Sequence, residues 1–168
     1  MRDDSGKEDA TIDLYMHRGM WQRILKIVRE DILERGFYLV GSRVGRRIIT
    51  YEAFELIYQS RGEAMITTDP MGRIFLTNTL PVGVEIVGII HSHPFDNTDY
   101  PAPSPVDVEL AREYAESIVL TVNPLGYYSA IMWADGELRR INVVIGQYND
   151  EKPRIFLLDD SYCVVPNF

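Results

Sequence analysis

The sequence predicts a mixed α/β (α+β) fold, a curved mixed β-sheet flanked by two principal helices. Three observations carry this. A stretch near the N-terminus spaces its apolar residues at helical intervals, a series of short β-branched and aromatic runs follows it, and a strong helix-start signal interrupts that series midway. At 168 residues the chain has the length of one ordinary domain. The expected division is a loose polar tail over 1–10 and a single domain over 11–168.

The elements follow in order. MRDDSGKEDA is too poor in apolar side chains to pack. Between Gly19 and Gly36, Met20, Trp21, Ile24, Leu25, Ile27, Val28, Ile32 and Leu33 recur every three or four residues with charged residues between them, so an amphipathic helix closed by Gly36 is expected, with His17 on the surface before it. Strands are expected at Phe37–Val40, Ile48–Tyr58, Ala64–Thr67 and Ile74–Thr77, separated by turn residues at Gly45, Gly62, Asp69-Pro70-Met71-Gly72 and Pro81-Val82-Gly83. The run Val84–Ile90 is apolar nearly throughout, the pattern of a strand buried on both faces, and it leads directly to His91. A proline-dotted loop from Phe95 to Pro103 comes next. Ser104-Pro105-Val106-Asp107 then opens a second helix, with Ser as N-cap, Pro at the first helical position and an acid in the first turn. Strands resume at Ile118–Val122, Tyr127–Trp133, Leu138–Ile145 and Arg154–Leu158, the second and third joined by the Asp135-Gly136 hairpin signal. Tyr127, Tyr128, Met132 and Trp133 alternate as core and sheet surface.

Composition narrows the function. Apolar residues at 46% and charged residues at 25% fit a globular protein, and no run reaches the ~18 apolar residues of a membrane span. Seventeen basic against 25 acidic side chains leave a net charge of -8, which repels nucleic-acid phosphates and anionic lipid, so neither nucleic acid nor membrane is an expected partner. The single Cys163 cannot form an internal disulfide, and the N-terminus lacks the apolar stretch of a secretory signal; a reducing cytoplasmic compartment is expected. The C-terminal Tyr162–Phe168 segment is apolar enough to dock on its own domain or on another copy, which leaves a homodimer open.

Chemistry concentrates at two of the three histidines. In His91-Ser92-His93-Pro94 the imidazoles stand at i and i+2, on one face of extended backbone and about 6.6 Å apart along it, so both can converge on one ion. Asp107, in the first turn of the helix opened by Ser104, offers a carboxylate. Two imidazoles and a carboxylate leave a fourth position to water, the ligand set of a catalytic zinc, and no thiolate is spaced to close it. Taken alone, Ser-Pro-Val-Asp is a helix cap and His-x-His a pair of strand residues. Their conjunction across one loop is what a metal site at a strand end requires.

These residues resemble the JAMM, or MPN-plus, metalloproteases, whose signature is an upstream glutamate, then His-x-His-Pro, a spacer and Ser-x-x-Asp. The resemblance spans roughly Met20 to Ile145. In this chain the nine-residue spacer Phe95–Pro103 is longer than the family pattern, and Arg35-Gly36-Phe37 follows the glutamate where many relatives have a second glycine or a cysteine. The family's glutamate lies at the end of the first helix before a strand that closes with glycine, which selects Glu34 in Glu34-Arg35-Gly36-Phe37-Tyr38-Leu39-Val40-Gly41. The resemblance implies an MPN/JAB-type, cytidine-deaminase-like sheet. It implies one zinc per chain on His91, His93 and Asp107, Glu34 as proton shuttle and Ser104 as oxyanion donor, with the Phe95–Pro103 loop as a possible substrate contact or lid. It implies a protease or isopeptidase acting on ubiquitin or a ubiquitin-like protein. Hydrolysis of short peptides or of amino-acid adducts of sulfur-carrier proteins, and a non-catalytic MPN scaffold, are the alternatives; the intact ligand set speaks against the scaffold.

Overall fold

A computed structural model of the chain describes residues 11–63, 66–146, 154–158 and 161–165. The expected loose tail over 1–10 lies outside them. The strands are β1 (Asp13–His17), β2 (Gly36–Val44), β3 (Arg47–Glu55), β4 (Tyr58–Arg61), β5 (Ile66–Thr68), β6 (Glu85–Ser92), β7 (Ile118–Val122), β8 (Tyr128–Ala134), β9 (Glu137–Arg140), β10 (Asn142–Gly146), β11 (Arg154–Leu158) and β12 (Ser161–Val165). The helices are α1 (Arg18–Arg29), α2 (Pro70–Thr79) and α3 (Pro105–Glu113). Eight strands form one mixed sheet in the order β10-β1-β3-β2-β6-β7-β8-β9, while β4 pairs with β5 and β11 with β12 in separate two-stranded sheets.

The large sheet curls almost closed. Its two end strands, β9 and β10, are consecutive in the chain with only Ile141 between them. Ile141 N–H donates to Ala130 O on one side and Asn142 N–H to Ile12 O on the other. The chain thus steps from one sheet edge to the other, giving a barrel-like α+β architecture. At the β8–β9 turn, Asp135 (φ 53°) and Gly136 (φ 81°) both take the left-handed backbone expected of an Asp-Gly hairpin.

Strand alternation divides the core. Phe37 and Leu39 of β2 face one side, with Ile118, Leu120 and Val122 of β7 and with Met20, Trp21, Ile24 and Val28 of α1. Each such side chain contributes about 1.5–3 kcal/mol through burial. Tyr38 and Val40 face the other side and pack with Leu76 of α2 and Leu80 just after it, while Val119 packs against Ala111, Val108 and Leu110 of α3. The β2–β6 register shifts between the pairs Leu39–Gly88 and Val40–Ile86, leaving Val87 as the extra residue. Val87 and Ile90 consequently share the α1 side, and Ile86 and Ile89 the other. Gly88 is required by the approach of β7, since a Cβ there would lie 2.4 Å from Ile118 O.

The structure corrects four expectations. The first helix stops at Arg29, not at Gly36, which is instead the first residue of β2. Asp31 ends it: the carboxylate accepts from Leu33 N–H at 2.9 Å and pairs with Arg35 and Arg61, which offers the backbone an alternative to another helical turn and leaves Ile32 68% exposed. Ile74–Thr77 is helical, within α2, because the Asp69-Pro70 read as a turn is an N-cap followed by Pro at the first position, with Asp69 accepting from Met71 N–H. The expected strand Ile48–Tyr58 divides into β3 and β4 at Leu56-Ile57, whose backbone groups bond instead to Gly36 and Asp69. Leu138–Ile145 divides at Ile141 into β9 and β10.

β1 was not anticipated, and His17, its last residue, caps α1 by accepting from Gly19 N–H. Ala64 and the contacts of the apolar C-terminal side chains lie outside the described residues. Among the described residues no helix is long and apolar enough to cross a membrane.

Candidate metal centre

The strand that ends in the two histidines is clamped on both sides. Within β6, Gly36 pairs with His91, Ser92 N–H donates to Arg35 O at 2.8 Å, and Ser92 Oγ accepts from Arg35 N–H at 2.8 Å. One residue further, His93 N–H donates to Val122 O of β7. This fixed backbone brings the imidazoles together, with Nε2 atoms 3.2 Å apart and ring centroids 5.0 Å apart. Thr121, in register with His91 on β7, places its Oγ1 3.5 Å from His91 Nε2.

Asp107 arrives from the other side of the Phe95–Pro103 loop. Ser104 and Asp107 form a reciprocal capping box: Ser104 N–H donates to Asp107 Oδ2 at 2.6 Å, and Asp107 N–H donates to Ser104 Oγ at 3.3 Å. The cap orients the carboxylate so that Oδ1 is 3.0 Å from His91 Nε2 and Oδ2 3.8 Å from His93 Nε2. All three residues offer a ligand atom within 4.8 Å of the others. Atoms bound at 2.0–2.1 Å around a tetrahedral ion are about 3.3 Å from one another; the observed 3.0 and 3.2 Å are close to that spacing, and the 3.8 Å between His93 Nε2 and Asp107 Oδ2 is wider than it.

Protonation states suit the same purpose. Burial pushes the His93 imidazolium pKa down, and the neighbouring His91 adds to this, so His93 keeps a free lone pair at neutral pH. Burial works to raise the Asp107 carboxyl, but the hydrogen bonds from His91 and Ser104 outweigh it and hold the pKa below the usual carboxylate value. A group of two imidazoles and a buried carboxylate can hold a metal ion.

Glu34 stands not on the first helix, as expected, but in the connection immediately before β2. Its N–H donates to Gly62 O, and it is only 7% exposed. The Arg35–Ser92 backbone pairing anchors its neighbour beside the histidine strand, and Glu34 lines the same cavity as His91, His93, Ser104 and Asp107. Burial, with a smaller contribution from Asp107 opposed by His91, pushes its carboxyl up to about 7. A carboxyl poised there can exchange a proton near neutral pH.

That cavity has a volume of about 580 Å³. The loop expected as a lid contributes Phe95 and Asp96 to its rim. Further along, the loop is tied down: Asn123 Nδ2 donates to Thr98 O and Ser129 Oγ to Pro101 O. The far end of the cavity carries Tyr38, Arg73 and Tyr114, none of them singled out in the sequence. Arg73 falls between the turn expected at Asp69–Gly72 and the strand expected at Ile74–Thr77, so nothing in the sequence marks it. Thr121 could have been found only from the β6–β7 register.

No family model matches the chain, and no curated protein does. Among solved structures, the solution structure of protein DSY2949 from Desulfitobacterium hafniense is similar, with a TM-score of 0.66 at 15% identity, covering 82% of this chain and 95% of that one. At that identity the likeness concerns the fold alone.

Proposed function

We propose that the protein is a zinc-dependent hydrolase of the JAMM type, an isopeptidase or peptidase that releases or processes ubiquitin or a ubiquitin-like modifier. The convergence of His91, His93 and Asp107, with His91 Nε2 3.2 Å from His93 Nε2 and 3.0 Å from Asp107 Oδ1 and with Asp107 Oδ2 3.8 Å from His93 Nε2, carries this reading. On it, the curved sheet is an MPN/JAB-type, cytidine-deaminase-like scaffold that presents the ligands at the end of a central strand.

His91, His93 and Asp107 would hold the zinc. When bound, it supplies a Lewis acid and lowers the pKa of water to about 7. Glu34, buried beside these ligands, takes the proton of the attacking water and returns it to the leaving amine. Ser104 donates its hydroxyl hydrogen to the oxyanion that develops on the scissile carbonyl. Its capping role leaves this hydrogen free, because there the oxygen accepts from Asp107 N–H. A substrate segment laid in the cavity, about 580 Å³ and lined by these same groups, would reach them in extended form.

The test is cleavage of a ubiquitin-like modifier fused to lysine and of a short peptide, each with and without a chelator, alongside Glu34→Gln. Chelator-sensitive cleavage lost in Glu34→Gln supports the reading. Cleavage of the peptide alone removes the isopeptidase assignment. A zinc-loaded protein inert toward both substrates removes the hydrolase.

A further inference from the structure

The cavity is chemically polarised. At the metal end stand Glu34, Asp107 and Asp96, with Glu63 following the Gly62 carbonyl that holds Glu34. At the other end the charge is reversed. Arg73 of α2, half-buried, places its guanidinium carbon 4.4 Å from the centroid of the Tyr114 ring and 5.9 Å from that of Tyr38. Three separate elements, α2, the end of α3 and β2, thus converge on one cation, and all three side chains line the cavity.

Arg73 has no anionic partner among the described residues. Asp69, one helical turn earlier, caps α2 by accepting from Met71 N–H at Oδ1 and forms no ion pair with Arg73, although its charge is felt at Tyr38. The aromatic faces attract the cation without consuming its N–H donors. What remains is a planar fork of donors on the lining of the cavity, the group that binds a carboxylate through two parallel hydrogen bonds.

The distance between the two ends is set by α3. Asp107 and Tyr114 are seven residues apart along it, roughly 10 Å at 1.5 Å per residue. Extended peptide covers that in about three residues. The lining also includes the apolar side chains of Leu56, Ile66, Ile89, Leu110 and Val119, and Gly88 adds no side chain to it.

We propose that Arg73 is the anion subsite of this cavity, so that the substrate is an extended peptide segment bearing a carboxylate about three residues from the scissile bond, with small or apolar residues between. The carboxylate is an aspartate or glutamate side chain or a free chain end. This rests on the hydrolase reading for the cleaved bond, but not for the anion.

The experiment uses zinc-loaded full-length protein and a set of capped peptides that differ only in the position of one aspartate, together with matched peptides ending in a free carboxylate or its amide. Relative kcat/KM is read for wild type, Arg73→Ala and Arg73→Lys, with circular dichroism and zinc content as folding controls. The expected result is a preference of about 10- to 100-fold for an acid near the third residue, the range a charge-assisted hydrogen-bonded pair contributes. It should be expressed mainly in KM, be abolished in Arg73→Ala and be only partly kept in Arg73→Lys, which retains charge without the fork. Aspartate-bearing and free-carboxylate peptides compared at equal distance identify which source is used. Turnover without any preference, or a preference that survives Arg73→Ala, overturns the subsite and leaves the hydrolase intact. If no peptide is cleaved, calorimetric titration of the chelator-treated protein with the free-carboxylate peptide and its amide decides the subsite independently: tighter carboxylate binding lost in Arg73→Ala supports it, and equal binding overturns it.

Discussion

Glu34 makes the metal-free protein less stable as pH rises, and the size of that effect follows from its burial. Its carboxyl titrates at about 7 in the folded chain against the ordinary 4.5. Below pH 4.5 both states carry the proton, and the side chain is neutral where it is buried. Between 4.5 and 7 the folded state binds more protons than the unfolded one, so stability falls with pH, and above 7 the loss is complete. The difference between 4.5 and about 7, at ~1.4 kcal/mol per pH unit, amounts to about 3 kcal/mol. Glu34→Gln keeps the shape and removes the titration. Urea unfolding of the chelator-treated proteins from pH 5 to 8, followed by circular dichroism, should therefore show the variant ahead by about 1 kcal/mol at pH 5 and by about 3 kcal/mol at pH 8. Effects of titrating groups that do not interact with Glu34 cancel in the difference; His91 and Asp107, which do, contribute to it. Adding zinc should shrink the gap, because a cation nearby favours the carboxylate. A difference that stays constant across this range would refute the claim that burial governs this carboxyl.

Other consequences of the geometry are equally open to measurement. Ser104→Ala should lower kcat by about 10² to 10³ through the missing oxyanion donor and destabilise α3 by about 1 kcal/mol through the missing cap; Ser104→Thr should restore the cap, as urea midpoints would show. Ser92→Ala strands the Arg35 N–H now bonded to Ser92 Oγ, which should cost about 1–3 kcal/mol and lower kcat by displacing Glu34, with zinc content unchanged. Gly88→Ala forces a methyl against Ile118 O and should lower the unfolding free energy measured in urea by at least the roughly 1–3 kcal/mol of ordinary overpacking.

Wherever one local rule acted alone, the sequence was readable. The apolar run before His91 became the central strand β6, and Ser104-Pro105 capped α3 with Asp107 at its third position, because burial on two faces and capping leave plain marks. Legibility failed where one signal had two outcomes. Asp69-Pro70 serves as a turn or as a helix start, and the Ile57–Gly72 packing that accompanies the helix is a tertiary contact. Asp31 likewise ended α1 early by recruiting Arg61 from β4, thirty residues along the chain. The candidate site shows the same division. His91, His93 and Asp107 carried a spacing that chemistry could interpret, and the structure brings them together. Arg73 and the tyrosines beside it belong to three elements distant in sequence, and only the folded chain assembles them.

The central claim is that three side chains bind one ion, and metal stoichiometry tests it most directly. Protein dialysed against zinc and then freed of excess should contain one zinc per chain by plasma mass spectrometry, falling to a small fraction in His93→Ala and Asp107→Ala while both variants retain their circular dichroism. Wild-type protein that emerges without zinc, or variants that keep as much as wild type, would contradict the account.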